Sequence, residues 1–139
     1  MPTKKIVLDT NCLISSLSKR GNYYPIWKSF QEGKYILCIS NEIIEEYTEI
    51  IARLMTPGIA EHVVSLLLKS KNVELIYPQF RLGLIHIDPD DNKFVDCAFA
   101  ANATHIVSDD THFDILNDIK FPELIVLKLR EFLEVVKNL

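Results

Sequence analysis

Apolar residues fall along this chain in two patterns. Short, nearly unbroken runs occupy residues 4–8 (K-K-I-V-L), 35–39 (Y-I-L-C-I), 73–77 (V-E-L-I-Y), 104–107 (T-H-I-V) and 124–127 (L-I-V-L). They have strand length and do not alternate with polar residues, which is the pattern of strands buried on both faces of a parallel sheet. Between them the spacing turns helical. Residues 25–32 place Ile26, Trp27 and Phe30 on one face, with Gly33 as a stop. A helix from Ser40 or Asn41 as cap to about residue 54 follows, and another starts at Thr56-Pro57 with Ile59, Val63, Leu66 and Leu67 on one face. Asp88-Pro89-Asp90-Asp91 opens a helix through about residue 101, and shorter helices are predicted at 110–116 and 129–136. Strand–helix–strand order predicts an α/β fold, a three-layer α/β/α sandwich around a mainly parallel sheet, in a single domain over residues 1–139.

A chain of this length buries about 68–70% of its unfolded surface, so no disulfide or metal staple is needed for folding. The three cysteines, Cys12, Cys38 and Cys97, sit among apolar residues without C-x-x-C spacing and read as reduced core thiols. His62, His86, His105 and His112 make no H-x-x-x-H pair, which argues against a zinc site. No apolar run approaches the ~18 residues of a membrane helix. The opening apolar stretch ends at Asp9, too short for a signal sequence, so a cytoplasmic protein without a membrane segment is expected. With glycines only at 21, 33, 58 and 83, there is no G-x-G-x-x-G, no Walker loop and no G-x-S-x-G.

The charge distribution changes the picture. Net charge is -4, and every Asp except Asp9 lies between Asp88 and Asp118. Such a protein handles nucleic acid only if something offsets its acids locally. In an open α/β sheet, ligands bind at the carboxyl ends of the strands. Those positions carry Asp9-Thr10-Asn11, then Ser40-Asn41-Glu42 with Glu45 and Glu46 one turn on, and Ser108-Asp109-Asp110; Asp88-Pro89-Asp90-Asp91 precedes the middle helix. One such acid is an ordinary helix cap. Four groups together repel one another and raise each other's pKa, which a divalent ion relieves. Hard oxygen donors suit Mg²⁺ or Mn²⁺, and such clusters serve metal-assisted hydrolysis, commonly of phosphodiesters.

Helical phase selects among the acids. In the helix from residue 41 the apolar stripe is Ile43, Ile44, Tyr47, Ile50, Ile51 and Leu54. At about 100° per residue, Glu46 lies about 100° from the stripe's centre, whereas Glu42, Glu45 and Glu49 lie roughly 140–160° away on the solvent side. In the middle helix the stripe is Phe94, Val95, Ala98 and Ala101. Asp91 falls near its centre and Asp96 roughly 140° off it. For Asp91, a contact with the helix dipole and a metal are equally good readings.

These segments resemble the PIN domain, the small nuclease fold of many bacterial toxin–antitoxin ribonucleases. I-V-L-D-T-N is similar to the family's first strand and first acid, at Asp9. I-S-N-E-I-I-E-E-Y places the second acid on Glu46, D-P-D-D-N-K-F-V-D-C-A-F-A-A-N-A the third on Asp91, and I-V-S-D-D-T-H-F the fourth on Asp110, with Ser108 in the Thr/Ser position. The resemblance runs from Ile6 to Leu127. It implies an endoribonuclease that cleaves RNA with Mg²⁺ or Mn²⁺ held by Asp9, Glu46, Asp91 and Asp110, with Thr10, Asn11 and Ser108 positioning water or carboxylates behind them. Asp96, Asp109 and Asp114 are further candidate ligands. The family also implies a homodimer and a small antitoxin partner. Lys4, Lys5, Lys19, Arg20 and Lys93 are candidates to meet the RNA backbone. Two other readings are aspartyl-phosphate chemistry on Asp9, with Lys128 as its only loosely placed lysine, and a non-catalytic PIN-like interaction module.

Overall fold

The computed structural model describes residues 3–120 and 122–139, so Met1 and Pro2, the first residues of the leader-free reading above, lie outside it. Five strands form one sheet among the described residues: β1 (Lys5–Leu8), β2 (Ile36–Ile39), β3 (Val73–Leu75), β4 (His105–Val107) and β5 (Val126–Leu127). Their spatial order is β3-β2-β1-β4-β5, and every pairing is parallel. Consecutive residues Ile6, Val7 and Leu8 in β1 and Leu37, Cys38 and Ile39 in β2 are all buried. Since neighbouring side chains point to opposite faces, both faces of the central strands are covered, as the unbroken apolar runs required. β3 and β5 lie at the edges and are shorter than the runs that predicted them; Leu75 and Ile125 are exposed there.

Six α-helices flank the sheet among the described residues: α1 (Thr10–Ser16), α2 (Tyr24–Gln31), α3 (Asn41–Leu54), α4 (Pro57–Lys69), α5 (Asn92–Ala101) and α6 (Leu129–Lys137). Short 3-10 turns at Pro89–Asp91 and Thr111–Asp118 complete the chain. Ser40 caps α3 through the Ile43 N–H and Thr56 caps α4 through the Ile59 N–H, as the sequence suggested. Trp27, Phe30, Tyr35 and Phe132 form a chain of aromatic contacts from α2 through the start of β2 to α6. No helix among the described residues is long and apolar enough to cross a membrane.

Three local readings are corrected. The sequence pattern gave no element after Asp9, where α1 forms. Leu54 and Ile59, placed on apolar stripes, are exposed at the α3–α4 turn, Leu54 to 60%. The buried face of α4 is Ala60, Val63 and Leu67. Asp96, placed well off the α5 stripe, is only 2% exposed. The loop over residues 76–88 folds across that side of α5: Leu82 N–H donates to Asp96 Oδ1 at 3.0 Å, and the Asn92 amide holds Ile85 by both its N–H and its carbonyl at 2.9 Å. The three cysteines are free and buried, and burial pushes Cys12 and Cys38 up to about 12 and Cys97 higher still.

Candidate active site

Strand order reverses between β1 and β4, the place where an open α/β sheet leaves a crevice at its carboxyl edge. Asp9 follows β1 directly, and Ser108 follows β4. Asp9 N–H continues the sheet ladder onto Val107 O at 3.0 Å, so the backbone of the first acid is fixed by the sheet itself. Asp9 is buried, with Oδ1 accepting from Thr10 N–H at 2.8 Å and Oδ2 from Ser108 Oγ at 2.8 Å. Ser108 Oγ in turn accepts from Asp110 N–H at 3.0 Å, so one hydroxyl joins the first and fourth acids. Burial raises the Asp9 pKa, the bonds from Ser108 and Thr10 oppose the rise, and the charges of Glu46 and Asp110 add to it.

Asp91 enters from the start of α5. Burial pushes its carboxyl up to about 6; a hydrogen bond with His112 pulls it down, while Asp88, Asp110 and Asp9 push it further up. Asp110 comes from the turn after β4, where its Oδ1 caps the following 3-10 turn through His112 N–H at 2.9 Å. Glu46 reaches the same cleft from the second turn of α3. Its Oε2 accepts from Thr10 Oγ1, and its Oε1 pairs with Lys93 Nζ at 2.8 Å. The helix is tied in place one residue later, where buried Tyr47 donates its hydroxyl to Leu8 O at 2.6 Å. Glu42, Glu45 and Glu49 are exposed, as helical phase indicated.

The four acids thus come from the end of β1, from α3, from the start of α5 and from the turn after β4, with Thr10 linking Asp9 to Glu46, Ser108 linking Asp9 to Asp110, and His112 linking Asp91 to Asp110. The further candidates do not join them. Asp96 is turned to Leu82 and Arg81 on the other side of α5. Asp109 accepts from Leu129 N–H at 2.8 Å, at the start of α6. Asp114 pairs with Lys128 at 2.8 Å. Thr10 and Ser108 hold carboxylates directly, while Asn11 is exposed on α1. Lys93 is not free to meet a phosphate, because it bridges Glu46 and Asp90 at 2.8 and 3.1 Å. The sequence reading missed His112, which it considered only as one of four histidines lacking a partner at helical spacing. Its Nδ1 lies 3.2 Å from Asp91 Oδ2 and 3.3 Å from Asp110 Oδ1. The D-D-T-H spacing placed it two residues from the fourth acid, and that was the signal available.

This geometry has a counterpart in sequence. A profile of the PIN domain matches residues 5–112, from the first strand through the turn that carries Asp110 and His112. The chain belongs to the PIN-domain family. The match ends before the 3-10 turn does, so the likeness read from sequence as far as Leu127 is longer than the profile's. No curated protein matches this PIN domain in sequence. Among solved structures it is similar to VapBC2 from Rickettsia felis bound to a DNA fragment from their promoter, at a TM-score of 0.59 and 18% identity over 89% of this chain and 98% of that one. DNA-bound VapBC from Salmonella typhimurium gives 0.61 and 16% over 91% and 99%. VapBC-1 from nontypeable Haemophilus influenzae gives 0.61 and 17% over 91% and 98%. At these identities the likeness establishes the shared fold.

Proposed function

We propose that this PIN domain is a metal-dependent endoribonuclease of the cytoplasm, the toxin component of a toxin–antitoxin pair, acting as a homodimer on RNA. The observation that supports the reading is the chain of hydrogen bonds and contacts through Thr10, Ser108 and His112 that links Asp9, Glu46, Asp91 and Asp110, with little positive charge beside them. Lys93 is the one Lys or Arg paired with any of the four among the described residues, and it is shared with Asp90. Asp9 and Asp91 both have raised pKa values from burial and mutual repulsion. Oxygen donors left in this condition fit a hard divalent ion such as Mg²⁺ or Mn²⁺.

Asp9, Asp91 and Asp110 would hold the ion, with Glu46 closing the cleft from α3. Bound there, it would activate water and stabilise charge on the phosphoryl oxygens. Ser108 fixes the direction of the Asp9 carboxylate and the backbone before Asp110, so two acids keep one relative orientation. Thr10 and Lys93 do the same for Glu46. These supports set where acidic oxygens point before substrate arrives, which is the preorganisation that electrostatic catalysis needs. The toxin and antitoxin assignment is supported by the family and by solved neighbours that are VapBC complexes. Aspartyl-phosphate chemistry is disfavoured because Lys128 is turned to Asp114 rather than to Asp9.

The test is cleavage of single-stranded RNA by purified protein in Mg²⁺ or Mn²⁺ and in EDTA. Activity should vanish in EDTA, and Asp9→Asn should lower the rate at least ~100-fold with the fold intact, the scale of losing an electrostatic partner of the transition state. Cleavage that survives both treatments would overturn the assignment.

A further inference from the structure

The ligand atoms of Asp88, Asp91 and His112 lie within 4.8 Å of one another. Neither Asp88 nor His112 belongs to the four-acid set. Two features hold the imidazole there. His112 N–H is bonded to Asp110 Oδ1 at 2.9 Å, and the next residue, Phe113, is fully buried edge-on to Phe94 of α5 at 6.2 Å. The ring is thus anchored to the same helix whose start carries Asp91. On the opposite side of the cleft, both oxygens of Glu46 are engaged by Thr10 and Lys93. His112 Nδ1 lies 3.2 Å from Asp91 Oδ2 and 3.3 Å from Asp110 Oδ1, so an imidazole stands among the carboxylate oxygens.

That placement has a chemical consequence. Mg²⁺ takes oxygen donors almost exclusively and gives up its waters reluctantly. Imidazole is a softer donor, and affinity for nitrogen-containing sites rises from Mn²⁺ along the first transition row. We infer that His112, with Asp88 and Asp91, forms a nitrogen-bearing side of the metal site and sets its ion preference, favouring Mn²⁺ over Mg²⁺. The inference rests on the metal-dependent reading above, and its test separates the two.

Mn²⁺ binding is followed by EPR for the wild type, His112→Gln, Asp88→Asn and Asp9→Asn, with Mg²⁺ as competitor and thermal melts to check folding. The wild type should prefer Mn²⁺ over Mg²⁺ by about tenfold or more, and pulsed EPR should show nitrogen hyperfine modulation on the bound ion. His112→Gln should lose that modulation and weaken Mn²⁺ by about tenfold, the size of effect seen when a metal's immediate surroundings are changed, while Mg²⁺ changes little. Asp88→Asn should weaken both ions together. Absence of nitrogen modulation in the Mn²⁺-loaded wild type, or an unchanged Mn²⁺ to Mg²⁺ ratio in folded His112→Gln, overturns the inference. If Asp9→Asn still weakens binding in that case, the metal-dependent reading stands without it. A wild type that binds neither ion removes both.

Discussion

Replacing Asp91 by Asn is the sharpest probe of what an ionised carboxylate costs at this position, first through burial and then through repulsion by Asp88, Asp110 and Asp9. Asp91 has no helix-capping bond to lose, and an amide keeps the shape and a hydrogen-bonding partner for His112. In the fold its carboxyl sits at about 6, against an ordinary value of 3.8. Well below pH 4 the group is protonated in both the folded and the unfolded chain, so ionisation costs nothing. As pH rises through the interval up to about 6, the unfolded chain gives up the proton first, and stability falls. Above that, the full cost is present and constant. Two pH units at about 1.4 kcal/mol each set an upper bound of about 3 kcal/mol. The side chain retains 15% exposure and solvent screens part of its field, so about 1–3 kcal/mol is the expected range.

In EDTA at pH 7.5, Asp91→Asn should therefore melt above wild type by roughly 3–12 °C for a domain of this size. The gap should narrow as pH is lowered to 4. Mn²⁺ should reverse the order, since wild type gains RT ln(1 + [L]/Kd), about 2.7 kcal/mol at a hundredfold excess over Kd, and the variant gains less. Thermal melts across pH 4–8, with and without metal, measure all three effects. An apo Asp91→Asn protein that melts below wild type at pH 7.5 would show that Asp91 stabilises the start of α5, and the argument that burial and neighbouring acids penalise its charge would fail.

Two further variants test the framework around the acids. Glu46→Gln should cost about 10–100-fold in RNA cleavage, the range for a group that supports a metal site, while Glu45→Gln and Glu49→Gln on the exposed face of α3 should be nearly silent in the same assay. Tyr47→Phe leaves Leu8 O unpaired beside Asp9 and should lower stability by about 1–3 kcal/mol in urea unfolding; no loss would mean that the hydroxyl does not tie α3 to β1.

The parallel sheet was legible because unbroken apolar runs have one comfortable home, a strand covered on both faces. Glu46 was legible because helical phase separates it from Glu45 and Glu49. What the phase of one helix does not contain is a loop laid across its other face, and Asp96 was misplaced for that reason. Helix α1 was missed because Thr10, Ser15 and Ser16 are weak helix formers; it exists through burial of Cys12 and Leu13. His112 gave no periodic signal at all. It meets Asp91 across 21 residues of sequence because α5 and the turn after β4 flank the same crevice. Pairings set by the order of strands are invisible to local pattern.

Lys93 supplies the last test, because it is an internal counter-charge at the cleft. Burial alone would lower its pKa, yet hydrogen bonds to Glu46 and Asp90 hold it above the ordinary lysine value. Its side chain is 12% exposed and that of Glu46 19%. A pair this withdrawn lies between an exposed ion pair and a buried one, so removing the cation should destabilise the metal-free protein by about 1–3 kcal/mol. Lys93→Gln removes the charge but keeps a polar end able to reach Glu46. It should melt below wild type in EDTA, the opposite of Asp91→Asn, because it adds repulsion where the other removes it. Mn²⁺ should then raise its melting temperature by more than it raises that of wild type, since Glu46 becomes an additional source of attraction for the ion. If Lys93→Gln in EDTA melts with wild type and responds equally to Mn²⁺, the lysine does not offset charge in the cleft. Glu46 would then have to be held by Thr10 alone.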